Sequence, residues 1–195
     1  MSTTSTAHNI AQNSFLIVGY GNALRGDDGV GAQVAHAVAD WHLPEVKTII
    51  VHQLMPELAI EVAKADYVIF VDACGEESCA RTVQLDPIVL GGDNTQSVSA
   101  LSHTHGARGL LQLTQQLYGY SPQAWLLQVP GENFNLGQAL STIAQNGCDR
   151  ALRVIERFLI NYQLPEPIPD PIPDPISDPI PEQVTSTSEP CMKSA

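Results

Sequence analysis

The stretch Phe15-Leu16-Ile17-Val18-Gly19-Tyr20-Gly21-Asn22-Ala23-Leu24-Arg25-Gly26-Asp27-Asp28-Gly29-Val30-Gly31 joins an apolar run to a helical pattern through a glycine loop that carries two acids. Phe15 to Val18 predicts a buried parallel strand, and Asp27 or Asp28 followed by Val30, Val34, Ala35 and Val38 predicts a capped amphipathic helix. Strand, glycine loop and helix in this order invite a dinucleotide-binding reading, which fails twice. The third glycine of G-x-G-x-x-G falls at Leu24, and the second strand ends in His52-Gln53 with no acid for a ribose. A pyrophosphate at a helix N-terminus also needs bare backbone amides, whereas this loop brings two carboxylates there. Acids in that place suit a cation.

Outward from the loop, the strand and helix patterns alternate. Val46 to Val51, rich in β-branched residues, predicts a second strand, followed by a short helix from Pro56-Glu57 through Ile60 to Ala63. Tyr67-Val68-Ile69-Phe70-Val71 is an unbroken apolar run, as in a central strand covered on both faces, and it is expected to stop at Asp72. Arg81 to Leu85 predicts an edge strand and Pro87 to Ala100 a loop. From Thr104 to Tyr118, Leu110, Leu111, Leu113 and Leu117 form a helical stripe ended by Gly119. Trp125 to Val129 predicts another strand, and Ala151, Val154, Ile155 and Phe158, with Leu152 and Leu159, predict the last helix. The expected fold is a three-layer α/β/α sandwich around a mainly parallel sheet of about five strands.

The 195 residues hold 9 Lys and Arg against 21 Asp and Glu, a net charge of −12. Residues 163–195 carry six acids against Lys193, five of those net negative charges, and repeat Pro-Ile-Pro-Asp at a four-residue period. Prolines that dense exclude helix and sheet, so 163–195 is expected to be a disordered acidic tail, 1–13 a flexible leader and 14–162 the folded domain. The acidic balance and scattered basic residues argue against nucleic acid as a partner. No apolar run reaches the roughly 20 residues of a membrane span and Met1 to Asn13 lacks a secretory pattern, so no membrane partner and a cytoplasmic location are expected. Cys74, Cys79, Cys148 and Cys191 form no disulfide framework and are expected to be reduced thiols; the C-x4-C pair Cys74 and Cys79 lacks further ligands for a metal site.

In an open parallel sheet, residues just past the carboxyl ends of the strands share one crevice. Asp28 follows the first strand, Asp72 ends the third, and His103 or His105 lies in Ser102-His103-Thr104-His105 at a helix start. Two carboxylates and an imidazole form a ligand set able to hold a divalent metal and leave positions open. Taken singly, each has a plainer role: helix cap for Asp27 or Asp28, turn residue for Asp72, exposed imidazole for either histidine. No G-x-S-x-G elbow, H-E-x-x-H helix or convincing Cys-His pair supplies an activated nucleophile.

The order G-x-G-N-x-L-x-x-D-D-G-x-G from Gly19 to Gly31, then Asp72 after an apolar strand, then Ser-His before a Leu-rich helix ending in Tyr-Gly, resembles the maturation endopeptidases of nickel-iron hydrogenases over Phe15 to Leu159. His52-Gln53-Leu54-Met55-Pro56-Glu57-Leu58 and Ser-His-Thr-His look most like the form serving cytoplasmic bidirectional hydrogenases; Gln53 to Glu57 departs from members that place an acid and glycines there. The resemblance implies a metal-dependent endopeptidase that removes the C-terminal extension of a hydrogenase large-subunit precursor after nickel insertion. The nickel would arrive in the precursor. Asp28 and Asp72 match the family's metal-binding acids, although an acid one carbon longer is common at the first. His103 matches its histidine through Ser102-His103-Thr104-His105-Gly106, with His105 the nearby substitute. The chain is expected to act as a monomer, and the alternative is a nickel-binding or precursor-checking factor that does not cut.

Overall fold

The computed structural model describes residues 13–75, 82–91 and 101–163, with side chains from residue 106 onward in the last of these. Five strands form one sheet: β1 (Phe15–Tyr20), β2 (Val46–Val51), β3 (Tyr67–Cys74), β4 (Gln84–Pro87) and β5 (Gln123–Pro130), in the order β2-β1-β3-β5-β4. All pairs are parallel except β4 with β5. β4 is one of the two edge strands, which is where Pro87, without an amide to donate, can be accommodated. Four α-helices lie among the described residues, α1 (Val30–Ala39), α2 (Ala59–Val62), α3 (Leu101–Tyr118) and α4 (Thr142–Gln163), with short 3-10 turns at Gly26–Gly29 and Pro56–Leu58.

Alternation along the strands divides the core. Phe15 and Ile17 of β1, Ile69 and Val71 of β3, and Leu127 and Val129 of β5 pack against Val30, Val34 and Val38 of α1 and Ala151, Ile155 and Phe158 of α4. Their strand neighbours Leu16, Val18, Val68, Phe70 and Leu126 pack on the other face against Ala59 and Val62 of α2 and Ala107, Leu110 and Leu111 of α3. Each large side chain so buried contributes about 1.5–3 kcal/mol, which commits the period-two pattern to one register. The three-layer architecture expected from the sequence is the one observed.

Several boundaries differ from expectation for local reasons. β3 runs through Asp72 to Cys74 because its ladder with β5 continues to Cys74↔Pro130. α3 begins at Leu101, so Ser102 to His105 lie in its first turns. Its buried face is Ala107, Leu110, Leu111 and Thr114, whose hydroxyl donates to the Leu110 carbonyl at 2.8 Å; Leu117 is exposed. α4 starts well before Ala151, adding Ala144 and Cys148 to the core. The expected leader up to residue 12 and the tail from 164 lie outside the described residues, as do most of the expected 87–100 loop and the expected thiols at Cys79 and Cys191.

Candidate functional site

β1 pairs with β2 on one side and β3 on the other, so the chain reverses direction across the sheet between β1 and β3. The β1–β3 ladder ends at Gly19↔Val71, and the next residue of β3 is Asp72. Its carboxylate therefore sits where β1 gives way to the glycine loop, at a crevice of the type in which open α/β sheets bind ligands. Asp28 comes from that loop. Both acids line a cavity of about 320 Å³, together with Tyr20, Gly21, His52, Gln53, Leu54 and Gly106.

Neither acid of the Asp27-Asp28 pair caps α1. Residues Gly26–Gly29 form a 3-10 turn ahead of the helix, and no side-chain cap bond is made there. Asp27 turns away from the cavity and is fully buried. Its Oδ2 accepts the amides of Glu132 and Asn133 at 2.8 and 2.9 Å and the Ser141 hydroxyl at 2.8 Å, while Oδ1 accepts the Ser141 amide at 2.6 Å. Burial alone would raise its pKa, but the Glu132, Ser141 and Asn133 amides and the Ser141 hydroxyl outweigh it and hold the carboxyl below the usual range. Asp27 thus ties the glycine loop to the 131–141 loop, helped by the Asp27 amide on the Asn133 carbonyl (2.8 Å) and the Gly137 amide on the Leu24 carbonyl (2.7 Å).

With Asp27 engaged, Asp28 is half-buried and faces the cavity. Its Oδ2 accepts the Asn22 amide at 2.8 Å, and the Asn22 side chain in turn accepts the Leu24 amide at 3.0 Å. Gly21, at φ +123°, is obligatory: it lies in the left-handed region, and a Cβ there would collide with the Asp28 carbonyl and stand 3.2 Å from Asp28 Oδ1.

Asp72 is 1% exposed, and the Tyr20 hydroxyl is buried beside it. Burial first, then the negative charge of Asp72 and a hydrogen-bonding interaction with it, raise the phenol pKa far above its ordinary value. Tyr20 and His52 are cavity residues that the sequence reading passed over. The signal available was register: Tyr20 is the β1 residue that follows Gly19↔Val71, level with Asp72.

His103 and His105 occupy the first turns of α3, and Gly106, next along that helix, lines the cavity. The start of α3 is thereby brought to the two acids. Among the described residues no three His, Cys, Asp or Glu side chains are grouped so as to hold a metal ion.

Cys74 corrects an expectation: it is disulfide-bonded. Core size argues only that a disulfide is not needed for stability, whereas pairing requires two sulfurs in bonding geometry, which spacing does not decide. Cys148 is a free buried thiol whose pKa is pushed up to about 11 by burial and the charges of Asp149 and Asp27. It borders a larger cavity of about 620 Å³ between α1 and α4, remote in character from the strand-end acids.

The fold is similar to that of solved structures described as nickel-iron hydrogenase maturation proteases and endopeptidases. The hydrogenase maturation protease HybD from Thermococcus kodakarensis superposes with a TM-score of 0.61 at 20% identity, covering 75% of this chain and 99% of that one. The hydrogenase maturating endopeptidase HybD from E. coli gives 0.60 at 20% identity, covering 76% and 93%. The maturation protease HycI from Thermococcus kodakarensis KOD1 gives 0.57 at 24% identity, covering 77% and 95%. No protein-family model matches the chain, and no curated protein matches it in sequence.

Proposed function

We propose that the chain is an endopeptidase that removes the C-terminal extension of a nickel-iron hydrogenase large-subunit precursor after nickel insertion. The observation that carries this reading is the convergence of Asp28 and Asp72 on one cavity at the β1–β3 reversal, in the fold of the maturation endopeptidases. Similarity to proteins of that description supports the reaction class; the substrate and its timing are part of the proposal.

The donor set fits a metal that arrives with the substrate. Two carboxylate oxygens and one imidazole are acceptable to a divalent ion of nickel's kind and leave coordination positions to the precursor's own ligands. Asp28, set by the Asn22 amide, and Asp72, set in the strand, would hold that ion from two sides, with His103 as the third donor and His105 its substitute. The scissile peptide would then be aligned by the ion's fixed position. His52 and Gln53 line the same cavity and would meet the peptide next to it. The proposed place of action is the cytoplasm; no helix among the described residues is long and apolar enough to cross a membrane.

The test incubates the purified chain with nickel-loaded and nickel-free precursor and reads intact mass. Loss of a C-terminal fragment from the loaded precursor alone is the expected result. Binding of the loaded precursor without loss of mass would replace the peptidase with a non-cleaving checking factor, and indifference to both forms would remove the hydrogenase precursor as the partner.

A further inference from the structure

Tyr20 is the last residue of β1, and its ring belongs to the apolar cluster beneath α2 and α3. Packing alone would be served as well by Phe, because a buried hydroxyl without a partner costs about 1–3 kcal/mol. The residue is 9% exposed, and its Oη is shielded from solvent and makes no fully aligned hydrogen bond among the described residues. The polar group that acts on it is the Asp72 carboxylate. The two belong to neighbouring parallel strands, each the residue that follows the last ladder pair Gly19↔Val71, and both line the candidate cavity. A phenol is protonated at neutral pH and so meets a carboxylate as a donor. Hydrogen bonds in unliganded sites are often long or poorly aligned and tighten when the substrate is engaged.

We propose that Tyr20 is a positioning residue: its hydroxyl donates to Asp72 and fixes which carboxylate oxygen faces the cavity. The assignment of a role in turnover rests on the endopeptidase reading; the Tyr20–Asp72 bond itself does not. Outer partners of this kind typically contribute 10–100-fold in affinity or activity. Tyr20 would act on the step made at Asp72 and leave the docking of the precursor to other surfaces.

Tyr20→Phe removes one oxygen and keeps the ring packing in the apolar cluster, so a folded variant is expected. Its kcat on nickel-loaded precursor should fall 10–100-fold with KM within about twofold. In protein labelled with carboxyl-13C aspartate, the Asp72 resonance, assigned with Asp72→Asn, should move in Tyr20→Phe while the Asp27 resonance stays in place. Unchanged kcat, or a loss confined to KM, would overturn the positioning role. An unmoved Asp72 resonance would overturn the hydrogen bond. If the wild-type chain cleaves no precursor, the peptidase reading fails, and the carboxyl resonance alone decides whether Tyr20 orients Asp72.

Discussion

Asp27 and Asp28 are neighbours of the same chemical type, and the backbone turn between them assigns them opposite work. Asp27 is the buried hub of two loops; Asp28 is presented to the cavity. Asp28→Asn is therefore expected to abolish processing of loaded precursor while changing the unfolding free energy by no more than about 2 kcal/mol, measured by urea denaturation beside the mass assay. Asp27→Asn should do the reverse in emphasis, costing about 3 kcal/mol or more because four donors lose a charged acceptor. The sign of its pH dependence follows from the lowered carboxyl pKa. Its contribution is complete above the unfolded value of about 3.9 and is lost as pH falls through the folded one. Wild-type stability should decline below about pH 4, and that part of the decline should be missing from Asp27→Asn in acid denaturation curves.

At the level of elements, the site depends on how closely α1 and α3 approach the sheet. A Cβ on Gly31 would stand 2.6 Å from the Val71 carbonyl oxygen and would also strike Tyr20, and one on Gly19 would collide with the Gly31 carbonyl. These neighbours are backbone and cannot rotate aside. Gly31→Ala is expected to cost at least about 2 kcal/mol by chemical denaturation and to shift the loop that carries Asp28. α3 delivers the proposed histidine. His103 stands three residues before Gly106, the α3 residue that lines the cavity, and residues three apart share a helix face. His103→Ala should then impair cleavage far more than His105→Ala; the reverse order in the same assay would transfer the role to His105.

For the whole molecule, the last described core side chains are those of α4. Phe158 packs edge-on to Trp125 with centroids 4.6 Å apart, and Tyr162 lies 4.8 Å from Tyr67, closing the aromatic cluster at the start of the strands. The Tyr162 carbonyl also accepts the Asn13 side-chain amide at 2.6 Å. Deleting residues 165–195 preserves all of these groups, and the shortened chain is expected to keep its melting temperature within a few degrees and to cleave loaded precursor. Ending the chain before Phe158 should prevent folding, read by circular dichroism.

The fold was legible because strand and helix periods are properties of consecutive residues: Phe15 to Val18, Tyr67 to Val71 and the Val30-Val34-Val38 stripe each state which faces are covered. The pairing of Asp28 with Asp72 was legible for a related reason, since strand-end acids in a parallel sheet have only one crevice to share. What local pattern could not reach were partners far apart in the chain. Asp27 reads as a helix cap until Glu132, Asn133 and Ser141 arrive from more than a hundred residues away. Tyr20 reads as one more core aromatic until the β1–β3 register sets it level with Asp72. Cys74 reads as a thiol until folding brings a second sulfur to it. Sequence thus determined the layers, their order of use and the acids at the crevice, because periodic burial depends on near neighbours. Only the tertiary structure decided that the adjacent Asp27 serves the core and not the helix start, because its donors are supplied by a distant loop.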